Sequence, residues 1–292
     1  MTPYHIPVLV AEVLEILKPN SGALFIDATL GGGGHTKALL DRGSEVIGID
    51  QDPEALEYVR QRTDLNHANL TLVEDNFEHV SDSVKAHSAK PVTGILFDLG
   101  VSSHQFDTPE RGFSFQSSAP LDMRMSPSQA VTARDLINGL GKHELYDLFT
   151  KYGDEQLARP ISEAIIRARM RKPIDTTSNL AQLIEKVYHG RRSHLHPATK
   201  VFQALRMAVN DEMNVLKNAL PAAVNLLAPG GRMAVISFHE GEDRIVKHFM
   251  KDLPADTYQE LTDKPITPTP EEIAQNPRSR SAKLRGVEKI QL

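Results

Sequence analysis

Leu24-Phe25-Ile26-Asp27-Ala28-Thr29-Leu30-Gly31-Gly32-Gly33-Gly34-His35-Thr36 is the stretch on which the fold turns. A short apolar run ends on a carboxylate, passes through four consecutive glycines and enters a segment, Thr36 to Leu40, that reads as a helix. Continuous apolar runs of this length suit strands covered on both faces of a parallel sheet. Glycines directly after such a strand let the backbone turn sharply and lie against a ligand where a Cβ would intrude. The pattern repeats outward from there. Val46-Ile47-Gly48-Ile49 ends at Asp50, Leu70-Thr71-Leu72-Val73 at Glu74 and Asp75, and Gly94-Ile95-Leu96-Phe97 at Asp98. Between strands, Asp52-Pro53 opens a helix expected over Pro53 to Arg60, with proline at the first helical position. Strand ends that each deliver a carboxylate to one edge describe an α/β doubly wound sheet, its ligand crevice at the carboxyl ends of the strands.

The alternation stops after Asp98. Val101 to about Met125 reads as loop, and about Thr132 to Tyr188 as helix without a convincing strand. Val201, Leu205, Ala208, Val209, Leu216 and Leu220 keep helical spacing up to the turn Ala228-Pro229-Gly230-Gly231, after which Met233-Ala234-Val235-Ile236 restores strand character. Ser281 to Ile290 is a candidate last strand. The expectation is a helical domain, 109–197, inserted into a sheet domain made of 1–108 and 198–292.

Composition narrows the chemistry. The chain has 292 residues and no cysteine, which removes disulfides, Cys-ligated zinc, iron–sulfur clusters and any thiolate nucleophile. No apolar run is long enough to span a bilayer and the first residues carry no secretion signal, so a cytoplasmic protein is expected. Formal net charge is −5, weak evidence against a nucleic-acid partner. That average hides a basic stretch, with Arg159, Arg167, Arg169, Arg171, Lys172, Lys186, Arg191, Arg192, Lys200 and Arg206 opposed there by Glu163, Asp175 and Glu185. It is either an RNA-phosphate surface or a solvated helical face. His189, His194 and His196 lack carboxylates at ligand spacing, so no metal site is expected.

Asp50 lies nineteen positions beyond Gly31, at the end of the next strand, where a carboxylate can accept from both hydroxyls of a ribose. Asp75-Asn76-Phe77 and Asp98 follow from the next two strand ends, positions for an adenine ring and a methionine moiety. NAD binds in the same geometry, but its fingerprint Gly-x-Gly-x-x-Gly fails here: the sixth position is Thr36 counted from Gly31 and Lys37 counted from Gly32. S-adenosylmethionine carries no pyrophosphate and is the preferred ligand; a glycine-rich turn with no ligand is the bland alternative.

Taken with the segments after Asp98, these residues resemble the small-subunit ribosomal RNA (cytosine-N4)-methyltransferases of the MraW or RsmH type. The resemblance rests on His5-Ile6-Pro7-Val8-Leu9, Gly31 to Thr36, Asp98-Leu99-Gly100-Val101-Ser102-Ser103, Pro109-Glu110-Arg111-Gly112-Phe113-Ser114-Phe115 and Leu121-Asp122-Met123-Arg124-Met125. It continues through His196-Pro197-Ala198, Phe202-Gln203-Ala204-Leu205-Arg206 and Glu242-Asp243-Arg244-Ile245-Val246-Lys247, in the family's order over nearly the whole chain. Two departures stand out: Glu240-Gly241 where the family has Ser-Leu, and a shortened segment after Met250.

The resemblance implies a Rossmann-like class I methyltransferase sheet and methylation at N4 of a cytidine in the decoding region of small-subunit ribosomal RNA, naked or in a 30S-type particle. It implies S-adenosylmethionine contacts at Gly33, Gly34, His35, Asp50, Phe77, Asp98 and Gln105. Asp98, with the Leu99 carbonyl, is the catalytic candidate, accepting from the exocyclic amine and directing its lone pair. Phe113 and Phe115 are candidates to stack on an extruded base, with Asp122 and Arg124 as polar contacts; local loop packing and a structural salt bridge are the respective alternatives. His239 and Glu240 read equally well as a cap of the next helix. Competing functions are methylation of another nucleobase amine, a non-catalytic ribosome assembly factor, and a nicotinamide dehydrogenase.

Overall fold

The computed structural model describes residues 6–190 and 196–291. His5, Arg191, Arg192 and His194 of the segments quoted above lie outside them. The chain opens with α1 (Val10–Leu17), β1 (Leu24–Asp27), α2 (Gly34–Leu40), β2 (Glu45–Asp50), α3 (Pro53–Gln61), β3 (Leu70–Glu74), α4 (Val80–His87) and β4 (Val92–Asp98). Helices follow: α5 (Ser103–Asp107), α6 (Ala133–Gly139), α7 (Lys142–Gly153), α8 (Ala158–Arg169), α9 (Thr177–Tyr188), α10 (Thr199–Val209) and α11 (Glu212–Leu226). The chain closes with β5 (Leu227–Ser237), α12 (Glu240–Lys251), β6 (Tyr258–Glu260), α13 (Pro270–Gln275) and β7 (Lys283–Lys289).

One sheet holds all the strands in the order β3-β2-β1-β4-β5-β7-β6. The run from β3 to β5 is parallel, and β7 is antiparallel to both its neighbours. The order reverses between β1 and β4, which is where a doubly wound sheet opens a crevice. Why the sheet is covered twice follows from the pleat, since neighbouring side chains point to opposite faces. Ile26, Ile95, Phe97, Met233 and Val235 join one core with Leu216 and Leu220 of α11 and Val246 of α12. Phe25, Leu96, Ala234 and Ile236 join the other, with Val13 of α1, Leu39 of α2 and Leu56 of α3.

Local signals set the helix starts. The Asp52 side chain accepts from the Glu54 amide ahead of Pro53, so α3 is capped as its sequence indicates. The turn Ala228–Gly231 does not end β5's pairing; it makes a register jump, with Val92 opposite Leu227 and Gly94 opposite Arg232. The candidate last strand is present as β7.

The chain divides into two compact units, 1–102 with 213–292, and 103–212. Two features differ from the sequence expectation. The helical stretch before β5 is broken into α10 and α11 by Asp211 at φ 48°, a conformation that periodicity does not reveal. And α10, expected in the sheet domain, belongs with the helical unit: Lys200 donates to the Asp154 carbonyl (2.6 Å) and Phe202 meets Phe115 edge-on. Among the described residues no helix is long and apolar enough to cross a membrane.

Candidate active site

The glycine turn is held from two sides, by Arg62 and by Asp50. Gly31 and Gly33 adopt φ 48° and 71°, in the left-handed region where a Cβ is strained. The Arg62 guanidinium donates to the Gly32 carbonyl at 2.6 Å while pairing with Asp64, and nothing in the sequence signals that role. The Gly31 amide donates to Asp50 Oδ2 at 2.8 Å, and the Asp52 amide to Asp50 Oδ1 at 2.9 Å. Each Asp50 oxygen thereby keeps lone-pair capacity for a further donor. Burial pushes the Asp50 carboxyl up to about 6, against the backbone hydrogen bonds from Asp52 and Gly31.

Asp98 ends β4 at the reversal point. Its amide donates to Thr29 Oγ1 at 2.6 Å, and its Oδ2 lies 3.6 Å from His35 Nδ1. A carbonyl can only accept, so the 2.9 Å contact between His35 Nε2 and the Val8 carbonyl places a hydrogen on Nε2 and turns Nδ1 toward Asp98. Asp27 lies behind this pair, fully enclosed, accepting from Thr36 Oγ1 (2.7 Å) and the Thr29 amide (3.3 Å). Burial drives the Asp27 carboxyl up; the His35 ring and the Thr36 bond oppose that rise. Thr29 was not singled out from sequence, and Asp27 only as one of the strand-end carboxylates, although both lie within the decisive stretch.

Phe77 follows β3 and packs edge-on against Phe97, ring centres 5.6 Å apart, with part of its surface open. Asp75 is absorbed locally, accepting from Ser83 Oγ (2.6 Å) and the Asn76 amide (2.7 Å). Within the sheet unit, then, Gly33, Gly34, His35, Asp50, Phe77 and Asp98 all lie at the carboxyl ends of β1 to β4. Gln105 lies on α5 in the helical unit and is buried.

The two motif loops of the helical unit prove to be a clasp. Arg124 gives Nε and Nη2 to the two Asp122 oxygens (2.8 Å each) and Nη1 to the carbonyls of Pro127 (3.0 Å) and Gln129 (2.7 Å). Burial would lift the Asp122 carboxyl, but the Arg124 bonds outweigh it and hold the group below its ordinary range. Arg111 Nη2 reaches the Arg124 and Met125 carbonyls, and Asn210 brackets Met123 and Met125 through its amide. These contacts fix Met123 at φ 65°, and Gly112, at φ 72°, has no room for a Cβ against the Pro120 carbonyl and the Asp122 amide. The salt-bridge alternative for Arg124 is the one observed. Phe113 is buried, and Phe115 stacks on the His196 ring (4.4 Å), which is the local-packing alternative for that pair.

His239 and Glu242 form a capping box on α12: His239 Nδ1 accepts from the amides of Gly241 (3.1 Å) and Glu242 (3.3 Å). The unusual Glu240-Gly241 pair thus sits in that cap, with Glu240 salt-bridged to Lys283. Of the remaining histidines, His196 pairs with Glu185, and among the described residues no cluster of three or more His, Asp or Glu is placed to hold a metal.

A parallel run closed by an antiparallel strand, a glycine turn after β1 and an acid after β2 define an S-adenosylmethionine-dependent methyltransferase of the Rossmann-like kind. The model of the MraW methylase family matches residues 2–290, and the chain belongs to that family. It is 48% identical over 281 residues to ribosomal RNA small subunit methyltransferase H of Deinococcus radiodurans, covering 96% of this chain and 88% of that protein. The protein of the same name from Halothermothrix orenii is 44% identical over 308 residues, covering 98% of each. The nicotinamide alternative falls with this assignment. The residues present fit the cofactor: a positive-φ glycine turn, and a carboxylate already fixed by two amides with acceptor capacity to spare.

Proposed function

We propose that this chain methylates N4 of a cytidine in the decoding region of small-subunit ribosomal RNA, acting in the cytoplasm on the RNA or a 30S-type particle. The observation that carries the reading is the placement of Asp98 at the β4 end, pinned by Thr29 and faced by His35, on the same edge as Asp50 and the glycine turn. The names borne by its relatives support the substrate class.

Bound there, S-adenosylmethionine supplies an electrophilic methyl group on sulfonium. Asp50 would accept from the ribose hydroxyls, and Gly33, Gly34 and Phe77 would hold the rest of the cofactor. The amine's lone pair is delocalised into the ring, so the protein must reorient it. The Asp98 carboxylate and the Leu99 carbonyl accept the two N4 hydrogens, which turns the lone pair toward the methyl and stabilises the positive charge that grows on nitrogen. Asp98 would then take, along its hydrogen bond, the proton that the amine gives up on methylation. The target base must be unpaired or extruded, because pairing engages N4; the helical unit is the proposed RNA-recognition part.

The test is transfer of labelled methyl to small ribosomal subunits from cells lacking the enzyme, followed by nucleoside analysis. Label in N4-methylcytidine is expected. Label in another nucleoside, or none despite cofactor binding, overturns the assignment.

A further inference from the structure

Between α8 and α9 the helical unit forms a groove of about 530 Å³. Its floor is aliphatic, from Ala164, Leu183 and Val187, and its rim carries Arg167, Arg171, Lys186 and His189. All four rim residues are exposed. The basic stretch seen in the sequence is sorted by the fold into two groups. Arg206 is spent on Glu212, Arg169 on the Ile137 carbonyl and Lys200 on the Asp154 carbonyl, so these cations hold the unit together. Arg167, Arg171 and Lys186 have no ion pair among the described residues.

The nearby carboxylates are engaged elsewhere. Glu163 faces Lys142 and Arg159 (3.7 Å each), Glu185 takes His196 (2.8 Å), and buried Glu155 takes the Tyr188 hydroxyl (2.8 Å). A helix C-terminus favours a cation in its last turn, which explains why basic residues stand there but leaves the charge of the groove uncompensated. An anionic occupant with apolar faces is what such a groove fits. Single-stranded nucleic acid has both: phosphates for the rim, and bases whose flat faces lie on apolar side chains. A duplex offers the rim its phosphates but keeps its bases from the floor.

We propose that the α8–α9 groove binds a single-stranded segment of the RNA substrate, with phosphates on Arg167, Arg171 and Lys186 and bases against the Ala164–Leu183–Val187 floor. The inference rests on the RNA-methylation reading above. The intact protein and its R167E/R171E and K186E variants would be titrated with a fluorescent single-stranded RNA oligonucleotide over a salt series. Methyl transfer to naked small-subunit RNA and to assembled subunits would be measured in parallel.

For the double variant, a loss of RNA affinity of about tenfold or more is expected, with the log–log salt slope shallower by about 1.4, as two single-strand phosphate contacts require. K186E should move both in the same direction by less. KM for both RNA substrates should rise while kcat and S-adenosylmethionine affinity stay at wild-type values, which also shows the variants are folded. Unchanged oligonucleotide affinity and slope overturn the proposal. So does a KM rise for assembled subunits alone, which would assign the groove to an acidic ribosomal protein. If the wild type modifies no subunit yet its oligonucleotide binding tracks the rim charges, the RNA-methylation reading falls and the groove assignment survives.

Discussion

Asp98 sits where two constraints meet: Thr29 fixes its backbone and His35 faces its carboxylate. Replacing it with asparagine keeps the shape but removes the charge proposed to support the developing cation. Asp98→Asn should lower kcat by about 10² to 10³-fold, the range of a lost electrostatic contact, with the fold intact by circular dichroism; a wild-type rate with normal cofactor binding would remove Asp98 from the chemistry. Asp50 gives a pH signature. Its folded carboxyl, raised to about 6, binds a proton more tightly than the unfolded group, so the cofactor-free protein loses stability as pH climbs from about 4 to 6, by an order of 3 kcal/mol at most. Ribose hydroxyls donate to the ionised form, so cofactor affinity should be flat above about pH 7 and weaken toward tenfold per unit below 6. Calorimetric titration from pH 5 to 8 would show this. Asp50→Asn should bind weakly with the slope gone, and a pH-independent wild type would refute the ribose role.

At the scale of elements, the motif loops are tied to one another through Arg124, Arg111 and Asn210. Arg124→Ala deletes a bidentate carboxylate pair and two carbonyl bonds from a left-handed residue's support, and should cost about 2–3 kcal/mol. Arg124→Lys should recover little, because an ammonium cannot make the forked pair; chemical denaturation of the three proteins measures it. Asn210→Ala leaves the Met125 amide without its acceptor and should cost about 2 kcal/mol in the same assay. The strands were legible because a buried parallel strand writes itself as an uninterrupted apolar run, and the acidic edge because each run stops on a carboxylate. The clasp was less so. Phe113, Phe115, Asp122 and Arg124 look like substrate contacts in a sequence, since charge and aromaticity beside a catalytic segment suggest ligand, and only the partners of Arg124 show where its hydrogen bonds go. The roles of Asn210 toward Met125 and of Arg62 toward Gly32 carried no local signal, because those partners lie 85 and 30 residues away. The break at Asp211 escaped for a related reason: a single left-handed residue leaves the hydrophobic period on either side unchanged.

For the whole molecule, linkage provides a test that needs no RNA. S-adenosylmethionine at about one hundred times its Kd should stabilise the sheet unit by about 2.7 kcal/mol, seen as a rise in Tm, whereas NAD should shift nothing. Equal shifts with both would undo the cofactor assignment. The sheet order carries a further consequence. β4 and β5 are neighbours in the centre of the sheet, Leu96 beside Ala234, yet every residue of the helical unit is made between them. On the ribosome, β1 to β4 emerge first and β4 waits with one edge bare. At roughly 5–20 residues per second that wait is on the order of ten seconds, long compared with the pairing of a strand that is already present. An open apolar strand edge of that lifetime is a substrate for chaperones and a seed for aggregation. The nascent chain is therefore most vulnerable while its helical unit is being synthesised, so the pace of translation bears on whether it folds intact.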